Sequence, residues 1–245
     1  MRLLLFLLAL AAVLPTHAQK PVYAVASLVG DGILVVVADN SVGSHFDRNR
    51  REFFPIKSQE LDKDILLAVD EVLREQDPAA KPILLGVSNK ALREMQARAL
   101  DEGGGNKPII DAIGPAAQKA GATHLILAIK HRDDARLRTG NGMVGVGRLE
   151  GLGFYVDNDM QVVNQDTGEG TTGFVSPFAY IRFLLVDLGT GATLREQVAI
   201  QSHAVASQKA VVAWQAISGQ QKVQLLQQLI RTAVDDAVPE LLRKP

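Results

Sequence analysis

The chain has 245 residues, with 26 Lys and Arg against 27 Asp and Glu and a net charge of −1, so it carries no electrostatic footprint for nucleic acid and no global pull toward anionic lipid. It contains no cysteine, which excludes disulfides, thiolate metal sites, a cysteine nucleophile and a lipid anchor attached through cysteine. One Trp and three Tyr leave little aromatic surface on which to stack sugars.

The first segment is MRLLLFLLALAAVLPTHAQK. Arg2 supplies a positive start, Leu3 to Leu14 is unbroken apolar, and Pro15 ends the run before Thr16-His17-Ala18. This layout predicts a secretory signal peptide over residues 1–18, cleaved after Ala18. The run is too short to cross a bilayer core, which takes roughly 20 residues. The remainder, 19–245, is predicted to form one exported α/β domain, periplasmic in a Gram-negative cell, with no transmembrane helix.

Val22–Val29 and Ile33–Ala38 read as strands, and Gly30-Asp31-Gly32 between them reads as a hairpin turn. A polar loop follows, then a short strand at EFFPI. Ser58 is the expected N-cap of a helix whose Leu61, Ile65, Val69, Val72 and Leu73 recur at helical spacing. Asp77-Pro78 stops it. KPILLGVSN predicts a short buried strand entering a helix at Ser88 or Asn89. A second helix, PIIDAIGPAAQKAGA, is expected to be interrupted near Gly114-Pro115, and THLILAIKHR is the next strand. The alternation predicts an α/β, or α+β, fold: a mixed sheet with helices packed on it and antiparallel hairpins in the C-terminal half, about 139–206.

In that half, two strands flank Gly189-Thr190-Gly191. In the second, Leu194, Val198, Ile200 and Ala204 share one face and Arg195, Gln197, Gln201 and His203 the other, a half-buried antiparallel strand. C-terminal helices are expected over about 208–242, with Val223, Leu226, Ile230, Ala233, Val234 and Ala237 as the apolar stripe.

The segment TGNGMVGVGRLEGLGFYV contains a literal G-x-G-x-x-G at Gly140, Gly142 and Gly145. A dinucleotide fingerprint needs a helix after the glycines, so that its N-terminus faces the pyrophosphate. Here Gly147, Gly151 and Gly153 oppose a helix, and Leu152, Phe154 and Val156 alternate as a strand does. The segment therefore predicts a flexible connection into a β-hairpin, with Asp157-Asn158 as its turn, and no nucleotide. Its mixture of glycine with apolar residues suits a contact with a partner, so Gly140, Gly142, Met143, Gly145, Leu152, Phe154 and Tyr155 are the candidate contact residues, together with the face around His131–Arg138.

Other motifs exclude more than they suggest. Ser88 in GVSNK lacks the second glycine of a nucleophile elbow, Lys90 standing in its place, and reads as a cap. His45, His124, His131 and His203 form no ligand pair at metal-binding spacing. Asp47–Glu52, DRNRRE, reads as a solvated loop, with an anion-binding patch as the sharper alternative. No catalytic set, metal site or cofactor is expected.

Ala122-Thr123-His124-Leu125, and Arg182 to Asp187 followed by Thr190-Gly191, resemble motifs of the curli-secretion channel lipoproteins and of the periplasmic lipoprotein activators of peptidoglycan synthases. The resemblance covers about half the chain and implies their shared α/β domain. The chain departs from both families in lacking the lipid-attachment cysteine, and no residue role carries over. The expected function is that of an exported, non-enzymatic cell-envelope protein that binds a protein partner or forms a homo-oligomer. The alternative is a periplasmic hydrolase or small-ligand-binding protein with a loop-built site around Asp39, Ser41, His45 or His131.

Overall fold

The structure is a computed structural model that describes residues 20–39, 47–139, 142–163, 168, 170–207 and 212–243. The expected signal peptide, Ser41, His45 and Gly140 lie outside the described residues.

The predicted α/β layer is present. Strand β1 (Tyr23–Ser27) is followed by β2 (Gly32–Val37), β3 (Arg50–Pro55), helix α1 (Glu60–Gln76), β4 (Ile83–Leu85), α2 (Lys90–Glu102), α3 (Lys107–Lys119) and β5 (His124–Lys130). β1 pairs in parallel with both β4 and β5. Three short strands come next: β6 (Arg132–Asp134), β7 (Leu137–Thr139) and β8 (Gly142–Val144). Then come β9 (Arg148–Val163), β10 (Gly170–Asp187), β11 (Thr193–Ser202), β12 (Val205–Ala206) and, after a 3-10 turn at Ala213–Gln215, helix α4 (Gly219–Leu242).

Strand β10 organises the sheet. Its residues Ile181 to Asp187 pair with β5, while Gly170 to Tyr180 pair with β9. Tyr180 lies opposite Gly151 and Ile181 opposite Lys130. Two stacks, β4-β1-β5 and β3-β2-β9, therefore stand end to end along one strand. On the other side of β10 run β11 and β12.

This arrangement corrects the expected turn at Gly30-Asp31-Gly32. β1 and β2 do not pair; β2 pairs with β3 and β9. The segment carries the chain from one stack to the next without reversing it. Neither Gly30 nor Gly32 has the positive φ that a tight hairpin requires. Gly30 is small because α1 passes against it: an added Cβ would lie 2.6 Å from the Asp62 nitrogen.

Helices α1 and α4 cover one face of the first stack. Ile65 and Val69 of α1, with Ile230 and Val234 of α4, meet Val25, Ile126, Ile181 and Phe183. Helices α2 and α3 cover the other face, where Leu92, Ile110 and Ile113 meet Leu125, Leu127, Leu184 and Val186. Asn89, not Ser88, caps α2, its side chain accepting from the Ala91 N–H. α1 begins one residue later than expected, with Gln59 at the cap and no side-chain cap bond, so Ser58 does not cap it. α3 runs through Gly114-Pro115 without interruption. Pro115 sits on the exposed side, where the carbonyl its ring leaves unbonded is open to solvent, while Ile109, Ile110, Ile113 and Ala117 hold the buried side.

Three details of the C-terminal half differ from expectation. Asp157-Asn158 is not a turn: β9 continues through it with a bulge, where Gly173 has φ 88° and Asp157 accepts N–H bonds from Asp159 and Met160. In β11, Leu194 is 50% and Val198 39% exposed, while the Arg195–Gln201 face lies beneath α4. There the Arg195 guanidinium reaches the Leu241 carbonyl and Gln201 donates to Asp236. Of the expected α4 stripe, Val223 is exposed and the other five residues are buried. Ser218 and Gln221 form a capping box that starts the helix.

Candidate interaction site

No helix N-terminus follows the described glycines of the stretch. From Gly142 onward the stretch makes β8, which pairs with β7, and then enters β9. The hairpin is held by side chains that come from far away in sequence. The buried Asn49 donates through its amide to the Val146 carbonyl, at 2.6 Å. The Tyr155 hydroxyl accepts the Val146 N–H. The Tyr180 hydroxyl accepts the Arg136 N–H and donates to the Asp134 carbonyl. Burial raises the pKa of both phenols, which keeps them as neutral donors and acceptors.

These contacts revise the candidate contact residues. Leu152, Phe154 and Tyr155 are core side chains, each no more than 2% exposed. They are buried because β9 is an inner strand of its stack: Phe154 and Tyr155 pack on opposite faces, against Leu226 and against Phe174 and Phe178. Gly142, Met143 and Gly145 are exposed, Met143 at 59%, with Val146 beside them.

Asp47 is the link from this hairpin to β3. Its carboxylate pairs with Arg51 and accepts the N–H groups of Arg148 and Asn49. Burial opposes its ionisation, yet the Arg51 guanidinium and the two N–H groups prevail and hold its pKa below the usual carboxylate range. The carboxylate lies hard against Gly147, whose φ is 82°, so a side chain there would both strain the backbone and displace Asp47. The segment read as a solvated loop, Asp47–Glu52, is thus an ordered clamp that leads into β3.

A cleft of about 560 Å³ opens where the two stacks meet. The second stack contributes Gly32, Leu34, Arg51, Phe53, Arg148, Glu150 and Leu152, the first contributes Lys130, and α2 contributes Ala97 and Asp101, with Asp31, Asp47 and Arg132 completing the wall. Its charges are largely paired. Lys130 lies 2.7 Å from Asp31 and 4.9 Å from the centre of the Phe53 ring. Arg132 joins Glu150 at 2.6 Å to Asp101 at 2.8 Å. Arg148 is the freer cation, mostly exposed and 3.9 Å from Asp134. Behind the cleft, the buried Asp62 accepts from the Ser27 hydroxyl at 2.6 Å, the Gly30 N–H at 2.8 Å and the Arg93 guanidinium at 3.1 Å.

Asp39 and His131 do not line this cleft. His131 lies one residue past β5, its ring 3.2 Å from Arg182, which also faces Glu196. Burial, and then the Arg182 charge, lower its pKa against the opposing pull of Asp133 and Glu196. Among the described residues there is no group of three His, Asp or Glu arranged to hold a metal ion, and no described helix is long and apolar enough to cross a membrane.

No family model and no curated protein matches the chain. Solved structures do. A PelC dodecamer from Paraburkholderia phytofirmans is 12% identical, with a TM-score of 0.37 over 91% of this chain and 90% of that one. A putative neuraminyllactose-binding hemagglutinin homolog from Helicobacter pylori is 7% identical, with a TM-score of 0.41 over 92% and 87%. The LpoB C-terminal domain from Salmonella enterica is 12% identical, with a TM-score of 0.25 over 74% and 82%. Likeness at this level is weak, and no function is taken from it. The Asp187…Thr190-Gly191 motif behind the sequence resemblance has a local role: Asp187 accepts the Gly189 and Thr190 N–H groups and shapes the turn into β11.

Sequence reasoning missed Phe53, Phe54 and Arg148, and reached Arg51 only within the alternative reading of Asp47–Glu52 as an anion-binding patch. The signal was present as two adjacent phenylalanines in an otherwise charged strand. An inner strand would bury at least one of them; here both are 46% exposed.

Proposed function

We propose that the chain is an exported, non-enzymatic cell-envelope protein, periplasmic in a Gram-negative cell, that binds a protein partner through the surface formed by the β7–β8 hairpin, β3 and the cleft that β3 borders. The leader-like segment at residues 1–18 supports export. The observation that carries the binding reading is the exposure of Met143, Val146, Phe53 and Phe54 on elements that Asn49, Asp47 and Tyr155 hold in place. Apolar side chains presented on anchored backbone, with charged groups around them, have the make-up of an interaction patch.

Replacing Met143 and Val146 together by serine tests this. Both side chains are exposed, so the fold is expected to survive with a stability change within about 0.5 kcal/mol. Recovery of a crosslinked envelope partner from intact cells is expected to fall severalfold. Unchanged recovery from a folded variant would count against the hairpin as the contact.

A further inference from the structure

Strand β3 is the outer member of its stack and pairs only with β2 among the described residues. Every residue of it is exposed. The Ile56 N–H donates to the Asp31 carbonyl, which sets the alternation of the antiparallel ladder. The backbone N–H and C=O groups of Arg51 and Phe53 therefore point away from β2, toward the open edge. Such an edge is a template for another strand.

Its charge narrows the kind of strand that fits. From Arg48 to Lys57 the sequence carries four cations, Arg48, Arg50, Arg51 and Lys57, against the single carboxylate of Glu52, in a chain whose net charge is −1. Arg51 is committed to Asp47. Arg48 and Arg50 have no ion-pair partner among the described residues, and Arg148, across the cleft, has only the 3.9 Å contact with Asp134. A second copy paired β3 to β3 would set these cations against their own kind.

We propose that β3 accepts an extended acidic segment of a partner protein as an added strand, its backbone on Arg51 and Phe53 and its carboxylates toward Arg48 and Arg50 on one face and, on the other, toward Arg148, which lines the cleft with Phe53. The proposal rests on the partner-binding reading above and adds the chemistry of the partner. Phe53 and Phe54 point to opposite faces of the strand and offer apolar contact on both. Pro55 has no N–H and ends the pairing. The plainer explanation of the charges, that they guard the edge against aggregation, accounts for Arg50, Arg51 and Pro55 but not for two half-exposed phenylalanines beside them.

The probe is a labelled ten-residue peptide in which Glu-Glu and Val-Val pairs alternate, which puts carboxylates on both faces of the strand, with two companions: one with Gln in place of Glu, and one N-methylated at alternate residues. Fluorescence anisotropy with the full chain is expected to show the Glu peptide binding at least about fivefold tighter than the Gln peptide, and weakening as salt is added. N-methylation in the register facing β3 is expected to abolish binding, and this readout requires no change to the protein. Arg50→Glu combined with Arg148→Glu is expected to remove the preference for Glu over Gln. Equal binding of the Glu and Gln peptides, no effect of N-methylation, or edge-to-edge dimers in sedimentation in place of peptide binding would each overturn the proposal. If Met143→Ser with Val146→Ser loses its cellular partner while no peptide binds, strand addition fails and partner binding stands.

Discussion

Gly153 holds its place because nothing larger fits. It sits opposite Leu34 where β9 pairs with β2, and an added Cβ would overlap the Leu34 carbonyl oxygen and the Phe178 ring. Gly153→Ala is expected to cost about 2–4 kcal/mol through forced backbone movement, read as a lowered urea midpoint. Gly105→Ala, at a loop position with open space around it, is expected to change stability by no more than about 0.5 kcal/mol. Equal effects would mean that β2 and β9 are less closely apposed than described. His131 gives a prediction in pH. Its pKa is lowered in the folded state by burial and by Arg182, so the unfolded chain takes up its proton first as pH falls. The stability it contributes is complete above the unfolded value of about 6.5 and is lost as pH falls through the lower folded value. Wild type is therefore expected to lose more stability than His131→Gln between about pH 7.5 and 5, measured by denaturant melts of both proteins. Parallel losses would contradict this.

The anchoring residues act at the level of elements. Asp62, in the first turn of α1, binds Ser27, Gly30 and Arg93 at once. It ties α1 and α2 to the end of β1. Asp62→Ala would leave a mostly buried guanidinium and a buried N–H without their partner. A loss of about 3–5 kcal/mol is expected, with Asp62→Asn intermediate; a loss near zero would show that water replaces the carboxylate. The sequence hides this role, because an acid in the first turn of an amphipathic helix also suits the helix dipole on an exposed face. Periodic elements were legible. The spacing of Leu61, Ile65, Val69, Val72 and Leu73 located α1, and the alternation of Leu152, Phe154 and Val156 located β9 within a glycine-rich segment. The two strands around Gly189-Thr190-Gly191 were legible too, although the buried side of β11 was not. Its polar face lies under the C-terminal turns of α4, where Arg195 reaches the Leu241 carbonyl and Gln201 reaches Asp236, and residue type alone carries no record of that neighbour.

Across the whole molecule, the decisive feature is the junction between the two stacks. A Gly-Asp-Gly string between two apolar runs reads locally as a hairpin, and only the pairing of β1 with β5 and of β2 with β9 shows that the chain goes straight on. That junction creates the charged cleft, leaves β3 as an edge and sets the hairpin beside it. The mixed α/β class could be read from the order of elements, whereas the cleft could not, because its walls come from residues as far apart as Asp31 and Leu152. The exposure of the expected contact residues was hidden for the same reason: Gly142, Met143 and Gly145 lie at the surface, while Leu152, Phe154 and Tyr155 serve the core. The proposed role rests on this surface meeting a partner. The direct test is a photocrosslinking residue placed in turn at Phe54, Met143 and, as a control, Leu67 on the exposed side of α1, followed by irradiation of intact cells. A discrete higher-mass adduct is expected from Phe54 and Met143 and none from Leu67. No adduct at either surface position, or the same adducts from all three, would contradict it.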